Sequence, residues 1–487
     1  MAAKDRGLRG LRALGPLSRG AFRFIGLIAF LGLPLLLGCQ SMLPQVRPPL
    51  GAEGEVLLYA QPFPQEADRL RFRIEAISAR RDDGMEFPVA LKLPEIKGRE
   101  MTRQRFLGDA VLPPGAYLGL TMKVRDAFLR TEEGEAALLT AEAPVRIDFP
   151  FRVAEKRASL LWLTFQWAEG VKSGFSFSPA FRISVPPRPV SGLTGYVTSG
   201  GSNNVLIFDK GTGQVAGVIA TEGGPAGMAL DQKGFKAYVA LPSADVIEVI
   251  DVIAGEITDT ITLTMGDRPK ELGLTPDGKT LLSLNAGSNT VSFIDVASHI
   301  QQARVFVGMG PASILIDPNG RRAYVFNNLS STISVLDVAN KALVTTIGTD
   351  PGPIRGQFNS QGDTFYVISQ FSPYMSVITA ATLSTKRMYV AMGLNSIKID
   401  TSTGFLYMGR VRDPQVGIYD PNALVPMDYL NAGGAVTYMT IDGEMNNLLM
   451  VGPEVERVVA ANLISRRVLW AIDVGEAPYW VTLMGER

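Results

Sequence analysis

Between Thr194 and Met484 the chain is built from short alternating apolar runs of strand length, separated by clusters of Gly, Pro, Asn and Asp. One run recurs, a β-branched stretch closing on a small polar residue, at 205–209, 246–251, 291–295, 333–337, 375–379, 416–420 and 457–462. Its terminal residues Asp209, Asp251, Asp295, Asp337, Thr379, Asp420 and Asn462 are spaced by 42, 44, 42, 42, 41 and 42 positions. A period near 42 filled only by short strands predicts a β-propeller, not a helical solenoid.

Each unit reads as four strands: one after a Gly/Pro turn (227–231, 313–317), one bearing an aromatic residue (237–240, 323–326), the run just described, and a polar outer strand (256–261). The array opens at 195–198 with strands two to four only, and it ends at 478–484 on a first strand without successors. The last segment is therefore expected to complete the first blade. That predicts seven blades, closed by pairing of the array's N- and C-terminal strands, with no open edge.

Upstream, alternating strands at 55–59, 70–76, 89–93, 117–124, 145–149 and 160–165 predict a β-sandwich. Pro186, Pro187, Arg188 and Pro189 read as a stiff linker. The expected fold class is all-β, a sandwich over 55–185, a linker over 186–193 and a propeller over 194–487.

Ala237-Tyr238-Val239 and Ala323-Tyr324-Val325, followed by Asn327-Asn328, make the array resemble the YVTN family of seven-bladed propellers from bacterial and archaeal extracytoplasmic proteins. That resemblance implies the fold; such propellers serve as binding scaffolds, surface-layer components or parts of enzymes. Leu112-Pro113-Pro114-Gly115-Ala116-Tyr117, with the closing strand at 177–183, resembles immunoglobulin- or transthyretin-like lipoprotein domains, which supply no active site.

The N-terminus changes the picture. Lys4, Arg6, Arg9, Arg12, Arg19 and Arg23 precede an uncharged stretch over 24–38, too short to favour a spanning helix. It ends in Leu36-Leu37-Gly38-Cys39, which resembles the bacterial lipobox. The resemblance implies a signal peptide over 1–38, cleavage and lipidation at Cys39, and a tether over 39–54. Several acyl chains anchor stably where one is marginal. Gln40, where Asp would retain the protein in the inner membrane, implies an outer-membrane lipoprotein, facing the periplasm or the surface. The 47 basic and 47 acidic residues become 41 and 46 once residues 1–38 are removed, a net charge of −5. That balance argues against nucleic acid as partner.

One His and one Cys exclude disulfides, zinc fingers, redox CxxC pairs and multi-His metal sites, so neither a metal nor another cofactor is expected. The P-loop pattern at 273–280 continues into a strand and contains Pro276, so it reads as a hairpin turn. Asp turns at Asp231, Asp277, Asp400 and Asp442 read as tight turns rather than calcium loops, and His299 as a turn residue.

Binding residues are expected on the face that collects the turns into the first strands and those between strands two and three. Where the repeat turns irregular, with Leu394 and Ala435 at the positions of Pro225, Pro269, Pro311 and Pro353, a site could have been installed. The candidates are Arg268, Lys270, Arg355, Phe371, Tyr374, Arg410, Arg412, Tyr438, Tyr479 and Trp480. Without a catalytic motif, the expected function is non-enzymatic: a lipid-anchored envelope protein whose propeller face binds a protein, peptide or glycan. The alternatives are a propeller hydrolase or lyase acting on a sugar or lactone, and a purely structural envelope component.

Overall fold

The computed structural model describes residues 47–487. The signal stretch and Cys39 lie outside the described residues. No described helix is long and apolar enough to cross a membrane.

Residues 194–483 form seven four-stranded antiparallel sheets, each taking four consecutive strands except the first. In the third sheet they are Pro269–Leu274, Thr280–Asn285, Thr290–Asp295 and Gln301–Phe306. The first sheet combines Thr194–Ser199, Asn204–Asp209 and Gln214–Ala220 with Pro478–Leu483, which pairs antiparallel with Thr194–Ser199. First strands of successive sheets neighbour one another, and Pro478–Leu483 neighbours the first strands of the second and seventh sheets.

Burial explains the composition of each strand. Second and third strands, such as Thr280–Asn285 and Thr290–Asp295, are buried nearly throughout, because neighbouring sheets cover both faces. Leu282, Leu284, Val291 and Phe293 thus share a core with Ala323, Val325 and Leu336 of the next sheet. Each fully buried Leu or Phe contributes about 1.5–3 kcal/mol. The fourth strand Glu256–Thr262 is mostly exposed and correspondingly polar.

The recurrent Asp is a turn device. Asp209 Oδ1 accepts the amides of Gly211 and Thr212, both at 2.9 Å, and Asp251 Oδ1 those of Ile253 and Ala254 at 2.8 and 2.7 Å. Asn462 supplies the same oxygen to Ile464 and Ser465. Asp231, Asp277, Asp400 and Asp442 accept amides of their own turns likewise. His299 adopts a φ of 57° in its turn, and its Nδ1 lies 2.5 Å from Asp259 of the neighbouring sheet.

Upstream, a five-stranded sheet holds Gly54–Ala60, Arg105–Leu112, Ala158–Phe165, Phe181–Ser184 and Ala90–Leu91. A six-stranded sheet is built around Leu70–Arg81, the 17-residue strand Gly115–Thr131 and Val145–Val153. Val56, Leu58 and Leu107 of the first share a core with Phe72, Ile74, Leu120 and Met122 of the second. Two details depart from the sequence pattern. The strand expected at 89–93 shortens to Ala90–Leu91, while Glu86–Pro88 just before it pairs with Leu70–Arg81 in the other sheet, so the chain crosses between sheets at Val89. Arg105–Leu112 was not anticipated, because Gly108-Asp109 interrupts its alternation.

This unit packs on the propeller. Leu57, Tyr59 and Leu160 enter a core with Tyr196, Val205, Phe208 and Val481. Gln104 exchanges two hydrogen bonds with the Val215 backbone. Asp473 accepts from Arg103 at 2.7 Å, Arg105 at 2.6 Å and Arg457 at 3.0 Å. Burial alone would raise the Asp473 pKa, but Arg103 and Arg105 outweigh it and hold it below the usual range.

Candidate functional site

The first strands place seven equivalent positions side by side: Gly227, Glu271, Ser313, Arg355, Ser396, Tyr438 and Trp480. The small ones join neighbouring blades. The Gly227 amide donates to the Lys270 carbonyl at 2.8 Å, Ser313 Oγ to the Ile354 carbonyl at 2.8 Å, and Ser396 Oγ to the Val436 carbonyl at 2.8 Å. Only glycine fits at 227, since a Cβ there would stand 2.7 Å from the Lys270 carbonyl oxygen. The four large ones meet one another.

Arg355 and Glu271 form an ion pair, and Glu271 is only 1 % exposed. The Arg355 guanidinium lies 5.0 Å from the Tyr438 ring centroid and 5.3 Å from that of Trp480. Tyr438 and Trp480 stack on each other. Burial works against the Arg355 charge, but Glu271 prevails and its pKa rises. Arg355 therefore stays cationic, clamped between a carboxylate and two aromatic faces.

A backbone irregularity adds two more groups. Pairing slips by one residue between Pro269 and Glu271, leaving Lys270 unpaired in the ladder, and likewise leaves Tyr479 unpaired between Pro478 and Trp480. Such bulges re-aim side chains. Tyr479 Oη donates to Glu271 Oε1 at 3.3 Å. Burial pushes the Tyr438 and Tyr479 phenols well above their ordinary values, so both remain protonated. Burial also pulls the Lys270 ammonium down, against the attraction of Glu271. Glu271 Oε2 finds no hydrogen-bond partner among the described residues.

Two positions further along the first strands lie Lys398, Thr440 and Thr482. The Thr440 and Thr482 hydroxyls donate to the two carboxylate oxygens of Glu486, and Arg487 pairs with Asp400 at 2.9 Å. Lys398 is buried, which lowers its pKa, while Glu486 opposes that shift.

Of the ten candidates from the sequence, Lys270, Arg355, Tyr438, Tyr479 and Trp480 come together around Glu271. The other five stay on the rim. Arg410 pairs with Asp413 at 2.5 Å; Tyr374 packs edge-on against Tyr389 and under Arg387; Phe371, Arg268 and Arg412 are exposed on turns. Sequence reasoning missed Glu271, Lys398 and Glu486. The shared repeat position of Glu271, Arg355, Tyr438 and Trp480 was the available signal.

A cleft of about 650 Å³ lies elsewhere, between Phe149–Leu161, Arg188 and the outer strands of the first two sheets. Arg157 and Glu256 form an ion pair on its lining, which also carries Arg152, Glu155, Lys156 and Arg188. Among the described residues no group of three or more His, Cys, Asp or Glu could hold a metal ion.

The family described as Lactonase, 7-bladed beta-propeller matches residues 265–361. That stretch contains Lys270, Glu271 and Arg355. The chain's propeller-type fold is similar to that of several solved structures. A functionally unknown protein from Desulfotomaculum acetoxidans aligns at 11% identity and a TM-score of 0.54, over 60% of this chain and 98% of that one. Putative 6-phosphogluconolactonases from Bacteroides uniformis and Bacteroides fragilis each align at 15% identity and a TM-score of 0.50, over 59% of this chain and 98% and 97% of theirs. No curated protein matches the chain.

The lactonase match overturns the expected non-enzymatic binding or scaffold role and points to a hydrolase-type propeller. The expectation of no enzyme rested on the absence of a catalytic motif from the sequence, and the lactonase match speaks against it. Glu271 and Glu486, single acids on a strand and on the C-terminal segment, come beside the first strands only through the fold.

Proposed function

We propose that the protein is a propeller hydrolase that opens a lactone, with Glu271 and Arg355 at its centre. The observation that carries the reading is their buried ion pair, ringed by Tyr438, Tyr479 and Trp480, inside the segment similar to the lactonase family.

The chemistry follows from the groups present. Lactone hydrolysis adds water across the acyl C–O bond. Glu271 Oε2, without a donor of its own, takes the proton from the attacking water. Arg355, kept cationic and fixed in plane, stabilises the oxyanion that forms on the acyl carbon. As the bond to the ring oxygen breaks, Tyr479 protonates that oxygen, and the proton taken up by the Glu271 carboxyl group, to which Tyr479 is hydrogen-bonded at 3.3 Å, is handed back to the phenolate as the carboxyl turns. The product is a hydroxy acid, and no group on the protein is consumed.

We further infer a closed seven-bladed ring fastened by Pro478–Leu483, an N-terminal immunoglobulin- or transthyretin-like sandwich, and an outer-membrane lipoprotein anchored through Cys39. The strand pairing supports the first and the two-sheet core the second. The basic and apolar leader ending at Cys39 supports the third. A Cys39→Ala chain that still incorporates acyl label would overturn the anchor.

The test of activity is acid release from a panel of sugar and aliphatic lactones by the purified full chain. Release above background, lost in Glu271→Gln with an unchanged melting temperature, supports the reading; no release from any lactone overturns it.

A further inference from the structure

We propose that the propeller face carrying the turns into the first strands docks on a lipid bilayer through an arc of apolar tips. The inference rests on the Cys39 anchor read from the sequence and does not depend on the lactonase reading.

In a four-stranded antiparallel sheet, the turn into the first strand and the turn between strands two and three open on the same face. Six large apolar side chains stand on those turns or at the adjoining strand end: Met265, Phe306, Met309, Leu329, Phe371 and Met392. Each exposes 60 % or more of its surface. They run from the second sheet to the fifth. The arc is held by backbone bonds between turns: the Leu329 amide donates to the Met309 carbonyl at 3.2 Å, and Phe371 to Pro351 at 3.3 Å. The opposite face also exposes Ile253, Ile300, Val425 and Ile464, one to a sheet; the six on this face are more numerous and include turns bonded to one another, and such a density marks an interaction surface.

The path of the chain selects the occupant. Arg47 lies across the arc, on the other side of the same face. Its amide donates to the Gly201 carbonyl at 3.4 Å, Asn203 Nδ2 donates to its carbonyl, and its guanidinium pairs with Asp109 and Glu55. Gly201 and Asn203 belong to the turn between the second and third strands of the first sheet. Cys39 precedes Arg47 by eight residues. Even fully extended, eight residues reach only about 27 Å. An acylated Cys39 therefore brings this face, rather than the opposite one, toward the bilayer. Charge on this face is mixed: the exposed side chains of Arg268 and Arg412 make no ion pair among the described residues, while the same turns also carry Asp245, Asp267, Asp350 and Asp413, so the two arginines are the groups able to meet anionic headgroups. Apolar tips interleaved with arginine fit an interface where the side chains enter the acyl boundary and the cations stay with the headgroups.

The experiment places single cysteines at Phe371→Cys, Met392→Cys or, on the opposite face, Ile464→Cys in the full chain. Each is labelled with an environment-sensitive fluorophore and reconstituted with vesicles of phosphatidylethanolamine and phosphatidylglycerol containing a lipid-borne quencher. The parent chain, labelled in parallel, is the blank, and its flotation with the vesicles reports the anchor separately. Severalfold stronger quenching at 371 and 392 than at 464 is expected. Equal quenching on both faces overturns the docking while leaving the anchor intact if the parent floats. A soluble dimer whose 371 and 392 probes are shielded from the quencher assigns the arc to a second copy of the chain, and also overturns it.

Discussion

Tyr438 and Trp480 stack with ring centroids 3.7 Å apart and planes at 23°, although they belong to different sheets. They occupy the same position of the repeat, and both rings are buried. Their partner is therefore Arg355 rather than solvent. Trp480→Ala should lower kcat/KM for a lactone about tenfold by freeing the guanidinium from one aromatic face. Arg355→Lys, which keeps the charge but loses the plane, should do the same, and the two together should be less than additive. Additive losses in steady-state kinetics would separate Trp480 from Arg355.

Glu271→Gln keeps the shape and removes the base. Turnover should fall roughly 10²- to 10⁴-fold, with KM changing far less. A loss confined to KM would make Glu271 a positioning residue for Arg355.

Glu248 is 1 % exposed and accepts the Glu222 amide at 3.2 Å, with no ion pair to a cation among the described residues. Burial pushes its pKa up to about 7. An acid whose pKa is raised on folding contributes stability that is fully present below its unfolded pKa near 4.5 and is lost as pH rises through about 7. Glu248→Gln should thus melt above the parent at pH 8, with the difference shrinking toward pH 5. Parallel melting curves across that range would contradict it.

Asp473 joins Arg103 and Arg105 of the N-terminal unit to Arg457 of the last sheet. Its lowered pKa has the opposite sign: the stability it contributes is present above its unfolded pKa and fades as pH falls below about 4. Asp473→Asn should cost about 3 kcal/mol in urea unfolding at neutral pH, by leaving three guanidinium groups without their shared acceptor. A cost below about 1 kcal/mol would show that the arginines find other partners.

The strand pattern was readable because every blade solves the same problem. Two covered faces demand apolar second and third strands, and each tight turn demands an oxygen acceptor such as Asp209 or Asn462. The cluster was only half readable. Lys270, Arg355, Tyr438, Tyr479 and Trp480 carry features that invite attention one by one. Glu271 looks like an ordinary strand residue until Pro269 and Pro353 are aligned and the position two beyond each is compared. Irregular turns drew notice to Phe371 and Arg410, yet a turn residue at the rim is separated from the axis by the first strand itself. Nothing in its own neighbourhood marks Glu486, whose carboxylate joins Thr482, four residues before it, to Thr440 only once two distant segments have come together.

The first sheet borrows its innermost strand from Pro478–Leu483, and the Trp480 amide donates to Thr198 Oγ1 across 282 residues of sequence. A ribosome working from the N-terminus exposes Thr194–Ser199 long before its partner exists. The opening sheet must therefore wait, one edge unsatisfied, until nearly every other blade has been made. Folding only after synthesis ends costs such a chain little, because its native topology cannot be completed early; a chain stalled before residue 478 would instead present a bare edge open to pairing with its neighbours.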